Sequence, residues 1–184
     1  MEMQKILYVF DFDGVIADSL DVCLSTVKLI AREFNLNADV ISDDIWEVIN
    51  NVTFDSLGRY LGLDEIESLR FADKVLQRMI ENRAANLFNG MPALLSELAL
   101  TGVVCILSAS HRIAIERSLN EVNIHHVISD IFGGETRGSK AEKLKILQVR
   151  YGVEPCACWM IGDAASDIAA ARDAGCNSIA VGWG

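Results

Sequence analysis

The sequence predicts an α/β protein with a Rossmann-like, doubly wound parallel sheet. Three observations point there. Short apolar runs at Ile6–Phe10, Val103–Leu107 and Cys158–Ile161 have the length and composition of buried strands. Between them lie longer segments whose apolar residues recur at helical spacing, and strand–helix alternation implies a parallel sheet with helices on both faces. Each run also ends in a group able to do chemistry: Asp11, Ser108 and the Gly162-Asp163 pair. Ligands in open α/β sheets bind beyond the carboxyl ends of the strands.

The elements follow in order. Ile6–Phe10 is the first strand. From Leu20, apolar residues fall at Leu20, Cys23, Leu24, Val27, Ile30, Ala31 and Phe34, a helical stripe. Ser42 and Asp43 are placed to cap a second helix bearing Ile45, Val48 and Ile49. Phe54, Leu57, Tyr60 and Leu61 mark a third. Leu69, Ala72, Val75, Leu76, Met79 and Ile80 mark a fourth. Short connections favour antiparallel neighbours, so these stripes predict a small helical bundle. The sheet resumes after Asn89-Gly90-Met91-Pro92, where Pro92 suits the first turn of a helix. Val103–Leu107 is a strand, Arg112–Val122 a helix, Val127–Ile131 a short strand and Ser139–Tyr151 a helix. Cys158–Ile161 is a strand, Ser166–Ala174 a helix and Ser178–Val181 the last strand.

Four groups form a constellation on this frame. Asp11 and Asp13 flank Phe12, and side chains two apart share a face on extended backbone. Two like charges buried together need a cation or a proton to offset them. Asp163 falls in the loop after the third apolar run and Asp167 in the first turn of the next helix, so their carboxylates can converge. Hard cations such as Mg²⁺ take oxygen ligands. Ser108 offers a strand-end hydroxyl. Ser139 and Glu142 make the S-x-x-E capping box, which sets Lys140 as the first residue of a helix. A helix start already favours anions.

Composition narrows the function. The chain has 184 residues, half of them hydrophobic, enough for one core and a modest insertion. Its formal charge is −10, from 26 acids and 16 bases. A nucleic-acid backbone partner needs a basic footprint, so that class is excluded. A small phosphorylated ligand is not, because a local cation and a lysine dominate the field inside a site. The five cysteines are odd in number and scattered, and Cys156-Ala157-Cys158 lacks the spacing of redox or zinc pairs. No stretch approaches the roughly 20 apolar residues of a membrane span. A strand begins within the first few residues, leaving no room for a signal peptide. These features predict a cytoplasmic protein with no membrane partner, as a monomer or a homodimer. His111 follows the serine motif; His125 and His126 are adjacent and do not share a helical face as a metal pair would.

The motifs Asp11-x-Asp13-Gly14-Val15, Ser108, Lys140 and Gly162-Asp163-x-x-x-Asp167, in that order, resemble the haloacid dehalogenase superfamily. The resemblance runs from Leu7 to Gly184 and is similar in pattern to the phosphoglycolate phosphatase and β-phosphoglucomutase branch. It implies a five-stranded sheet with the Asp11 strand central. It also implies an α/β core over residues 1–18 and 89–184, and an inserted α-helical cap over 19–88. Two crossings of chain, near Ala17–Asp18 and Asn86–Asn89, would join them. The chain departs from its relatives in three places. Ala109 follows Ser108 where relatives often have Asn. Lys140 lacks nearby prolines. The sequence given stops at Gly184, where relatives commonly continue with a further loop and helix, which leaves the last strand less covered.

The resemblance implies a Mg²⁺-dependent phosphatase acting on a small phosphorylated metabolite. Asp11 would attack phosphorus and form an aspartyl-phosphate, and Asp13 would serve as acid and then base. Ser108 and Lys140, with Ala109 beside the serine, would bind phosphoryl oxygens. Asp11, Asp163 and the Asp13 main-chain carbonyl would hold the metal, and Asp167 would do so directly or through water. Asp13 favours a phosphatase or phosphomutase over a dehalogenase. A mutase would place an arginine near the start of a cap helix, where this chain has Thr53-Phe54, with Arg59 further on. A receiver-like phospho-acceptor protein shares the groups but not their order. Asn50, Asn51, Thr53 and Arg59 are the candidate specificity residues, and phosphoglycolate is the leading substrate.

Overall fold

The structure is a computed structural model, and it describes residues 5–43, 45, 53–81 and 85–184. In chain order the elements are β1 (Ile6–Phe10), β2 (Ala17–Asp18), α1 (Leu20–Glu33), α2 (Phe54–Tyr60), α3 (Glu65–Glu81), β3 (Asn86–Leu87) and α4 (Met91–Thr101). They continue as β4 (Gly102–Leu107), α5 (Arg112–Glu121), β5 (Asp130–Phe132), α6 (Lys140–Tyr151), β6 (Cys158–Gly162), α7 (Ala165–Ala174) and β7 (Asn177–Ala180). The chain divides into two compact units: Met1–Asp18 with Ala84–Gly184, and Ser19–Arg83.

In the first unit, β5-β4-β1-β6-β7 form a parallel sheet with β1 at its centre. Phe10 lies beside Ile106 on one side and Ile161 on the other, so three strands end level. Because β1 is covered on both faces, its side chains alternate between two cores rather than between core and solvent. Leu7 and Val9 join Cys105, Leu107 and Met160 under Leu144 and Leu147 of α6 and Ala171 of α7. Phe10 joins Val104, Ile106 and Ile161 under Leu95 of α4 and Ile115 and Leu119 of α5. Each fully buried Leu, Ile or Phe contributes about 1.5–3 kcal/mol relative to exposure. The helices start and stop on local signals. Pro92 sits in the first turn of α4, Ser139 and Glu142 cap α6 reciprocally, and left-handed Gly152 and Gly175 end α6 and α7.

The fifth strand starts later than the sequence suggests. His125–Val127 form a 3₁₀ turn, with Val127 N–H and Ile128 N–H donating to Ile124 O and His125 O. Sheet pairing begins only at Ser129, whose N–H donates to Val104 O at 2.7 Å. At the other edge, the tail after β7 turns back over the sheet end. Val181 N–H donates to Gly162 O, and Trp183 Nε1–H donates to Val15 O at 3.3 Å while its ring meets Phe88 edge-on.

β2 and β3 pair antiparallel, Ala17 with Leu87 and Asp18 with Asn86, and Phe88 N–H donates to Ile16 O. Residues 85–88 therefore pack with the α/β unit, and the helical unit ends before the boundary expected at residue 88.

The second unit gathers Leu24, Val27, Ile30, Ala31, Ile41, Leu57, Phe71 and Val75 into its own core. α3 presents a different face from the expected stripe. It buries Ser68, Phe71 and Val75, while Leu69 is 54% exposed. Phe71 sets that rotation, meeting Phe34 of the turn after α1 edge-on at 5.6 Å between centroids. Of the expected second helix, Ile45 is helical and buried; Val48 and Ile49 lie outside the described residues. Among the described residues, no helix is long and apolar enough to cross a membrane.

Candidate active site

The acidic end of β1 is built by a tight loop. Asp11 N–H donates to Ile161 O at 2.8 Å, extending the pairing with β6 by one residue. The chain then wraps on Phe12, whose carbonyl accepts from Val15, Ile16 and Ala17 N–H. Buried Phe12, Val15 and Ile16 anchor this loop in the core, which fixes Asp11 and Asp13 on either side of Phe12. Asp11 Oδ1 accepts from Phe12 N–H at 2.6 Å. Gly14 turns the loop at φ +71°, and a Cβ there would overlap the Asp163 carboxylate. Glycine is needed for both reasons.

Asp163 and Asp167 arrive from β6 and α7. Asp163 lies in the exposed loop between them. Asp167, in the first turn of α7, has no solvent exposure, and its Oδ2 accepts from Ala164 N–H at 3.2 Å. Gly162 lies so close to Asp167 that a Cβ would overlap its side chain. Lys140, the first residue of α6, extends its Nζ to Asp11 Oδ2 and Asp167 Oδ1.

Carboxylate oxygens of Asp11, Asp163 and Asp167 lie within 4.8 Å of one another. Three carboxylates thus face one ammonium, which leaves the cluster short of positive charge. The electrostatics express that shortage. Burial, helped by the Asp167 charge, pushes the Asp11 carboxyl up to about 6 even though Lys140 pulls it down. Asp163 is also raised, first by burial and then by Asp167 and Asp13. Burial would lower the Lys140 ammonium, but Asp11 and Asp167 together hold it above its ordinary value. A small hard cation with oxygen ligands fits this donor set.

Asp13 meets the serine motif. Its Oδ2 accepts from Ser110 Oγ at 2.5 Å and from Ser108 Oγ at 3.4 Å. Ser108 is buried at the end of β4, and its Oγ also accepts from Ser110 N–H. Ala109 lies between the two serines, its carbonyl against Gly134. Ser110 was not singled out from the sequence. The available signal was the S-x-S alternation, which puts both hydroxyls on one side of extended backbone. His111 caps α5, its Nδ1 accepting from Ile113 N–H, and His125 Nε2 lies 3.8 Å from Glu116.

Thr53 and Arg59, two of the specificity candidates, belong to the second unit. Thr53 is the N-cap of α2. Arg59 is engaged with Asp55 one helical turn away, at 2.7 Å. The Thr53 hydrogen bond and then the Arg59 guanidinium hold Asp55 below its usual range. Asn50 and Asn51 lie outside the described residues.

Known proteins share this arrangement of chain. A phosphoglycolate phosphatase of Synechococcus elongatus is 31% identical over 185 residues, covering 99% of this chain and 85% of that protein. Tyrosine-protein kinase PtkA of Mycobacterium tuberculosis is 26% identical over 97% of this chain, which spans 62% of that protein. The crystal structure of a predicted phosphoglycolate phosphatase from Haemophilus somnus superposes with a TM-score of 0.82 at 21% identity, covering 100% of this chain and 88% of that one. At that identity the likeness speaks to the fold alone. The sequence profile of the haloacid dehalogenase-like hydrolases matches residues 8–181, a span running from β1 past β7 and holding all four motifs. The chain therefore belongs to the haloacid dehalogenase-like hydrolase family, in its phosphoglycolate-phosphatase-like branch.

Proposed function

We propose that this phosphoric monoester hydrolase works through an aspartyl-phosphate on Asp11 and acts on a small phosphorylated metabolite, phosphoglycolate first among them. The observation that supports the reading is the convergence of Asp11, Asp163 and Asp167 within 4.8 Å at the ends of adjacent parallel strands, with Lys140 among them. Asp11, Asp163 and Asp167, with the Asp13 main-chain carbonyl, would hold Mg²⁺, which when bound supplies positive charge against the phosphate oxygens.

The chain's own residues do the rest. Asp11 attacks phosphorus; the phosphorus–alkoxide bond breaks, and the leaving oxygen takes a proton from Asp13. Asp13 then removes a proton from water, which attacks the phosphoaspartate and frees Asp11. Ser108 Oγ and Lys140 Nζ bind the equatorial oxygens, where charge collects in the transition state. The five cysteines are free thiols, which suits a reducing cytoplasm.

The test is phosphate release by the purified protein from a panel of phosphorylated small metabolites, with and without Mg²⁺, beside Asp11→Asn. A tyrosine-phosphorylated peptide belongs in the panel because of the kinase relative. Turnover of a small phosphate ester that needs Mg²⁺ and is lost in Asp11→Asn is expected. Faster turnover of the peptide, interconversion of sugar phosphates without phosphate release, or full activity in excess chelator would overturn the reading.

A further inference from the structure

At the start of β6, at the opposite end of that strand from Asp163, two cysteines stand side by side. Trp159 of β6 lies opposite Asn177 of β7 in parallel register. Cys158 and Cys176 directly precede them in sequence, Cys158 as the first residue of β6 and Cys176 just before β7. Parallel neighbours run roughly 4.8 Å apart, inside the window of roughly 4.4–6.8 Å between Cα atoms that a disulfide spans. The side chains also meet. The two thiols are near enough for each to act on the other's ionisation, and Gln148 Nε2–H donates to the Cys176 sulfur at 2.8 Å.

We propose that Cys158 and Cys176 form a reversible disulfide when the protein meets a peroxide, with Cys176 the attacking thiol and Cys158 the resolving one. The environment divides the roles. The Gln148 N–H aimed at the Cys176 sulfur favours its thiolate, and Cys176 is held below the ordinary thiol range while Cys158 is pushed up. Access follows the same division. Cys158 has no solvent exposure, whereas Cys176 is half-buried and borders a groove of about 570 Å³ lined also by Ile168, Arg172 and Ser178.

The chemistry closes on these two residues and the peroxide. Cys176 thiolate attacks one oxygen of hydrogen peroxide, the O–O bond breaks, and hydroxide leaves with the proton the thiol gave up, as water. The product is a Cys176 sulfenic acid. Cys158 sulfur then attacks Cys176 sulfur, the S–O bond breaks, and the departing hydroxide takes the Cys158 proton as a second water. Two thiols have been oxidised by two electrons and the peroxide reduced by two. Gln148 remains as a donor to the Cys176 sulfur throughout.

Cleavage after Arg172 separates the two cysteines, so trypsin reads the bond directly. The folded protein is treated with hydrogen peroxide, alkylated and digested. The expected product joins the peptide ending at Arg172 to the one holding Cys176, and dithiothreitol releases it. Because Cys156 shares the first peptide, Cys156→Ser is run alongside and retains the link. Cys158→Ala abolishes it and leaves Cys176 as sulfenic or sulfinic acid. Loss of the link in Cys156→Ser, or wild-type Cys176 recovered over-oxidised or alkylated with no linked peptide, overturns the proposal.

Discussion

Gly14 and Asp163 approach so closely that no methyl group fits between them. One belongs to the loop after β1 and the other to the loop after β6, so a residue without a side chain holds two acidic strand ends together. Gly14→Ala meets two penalties at once. The left-handed backbone costs an L-residue about 1–2 kcal/mol, and the new Cβ displaces the Asp163 carboxylate. The expected outcome is a lower melting temperature together with at least about a tenfold loss of turnover and a raised Mg²⁺ requirement. A variant with wild-type metal dependence would show that the close approach has no bearing on the cluster.

Asp163 and Asp167 should separate function from stability. Asp163 is exposed, so Asp163→Ala should leave the melting temperature nearly unchanged while activity falls and more Mg²⁺ is needed to reach half of what remains. Asp167 is fully buried and bonded to Lys140 and Ala164 N–H. Breaking a buried pair from one side costs about 3 kcal/mol, so Asp167→Ala should unfold at clearly lower denaturant concentration. Equal denaturation midpoints for the two variants would contradict this division.

Ser110→Ala removes the 2.5 Å hydrogen bond to Asp13 but none of the groups in the acidic cluster. A hydrogen bond to a charged group is worth about 1.5–3 kcal/mol, and its loss leaves Asp13 Oδ2 with the longer bond from Ser108 at 3.4 Å. Turnover should drop by about tenfold or more, with KM little changed. The drop should be steepest for esters with poor leaving groups, since those lean most on the acid. A uniform change across leaving groups would leave Ser110 with a role in packing only.

Burial beside the Asp130 charge pushes the Cys105 thiol up to about 12. A raised thiol pKa keeps the neutral form across the whole neutral range, and only the thiolate reacts. Iodoacetamide at neutral pH should therefore label exposed Cys156 and spare Cys105 in the folded protein, while denaturant exposes both. Early modification of Cys105 would mean that the β4 core opens far more often than its packing implies.

Much of this architecture is local and so legible in the chain. The strand ends bearing Asp11, Ser108 and Asp163 follow from apolar runs, and Lys140 is placed by the capping box that Ser139 and Glu142 complete. Other features depend on pairings between distant residues. Asn86 and Leu87 join the α/β unit because they meet Asp18 and Ala17, which nothing in their own neighbourhood indicates. Phe71 outcompetes Leu69 for the core of the second unit because Phe34 awaits it. Asp13 meets Ser110 because the loop wraps on the Phe12 carbonyl, a geometry that spacing alone does not specify.

The central place of β1 has a consequence for how the protein comes into being. Its neighbours begin at Gly102 and Cys158, so β1 has no sheet partner until roughly a hundred further residues have been made. The Ser19–Arg83 unit, with its own helix-packed core, is complete in sequence well before then. Helices with local contacts form quickly, whereas parallel pairing waits on closure of long loops. Synthesis thus orders the two units in time, the inserted one first, and Asp11 meets Asp163 among the last events of folding. Slowing translation between Arg83 and Cys158 should prolong the interval in which β1 lies unpaired, and with it the opportunity for aggregation.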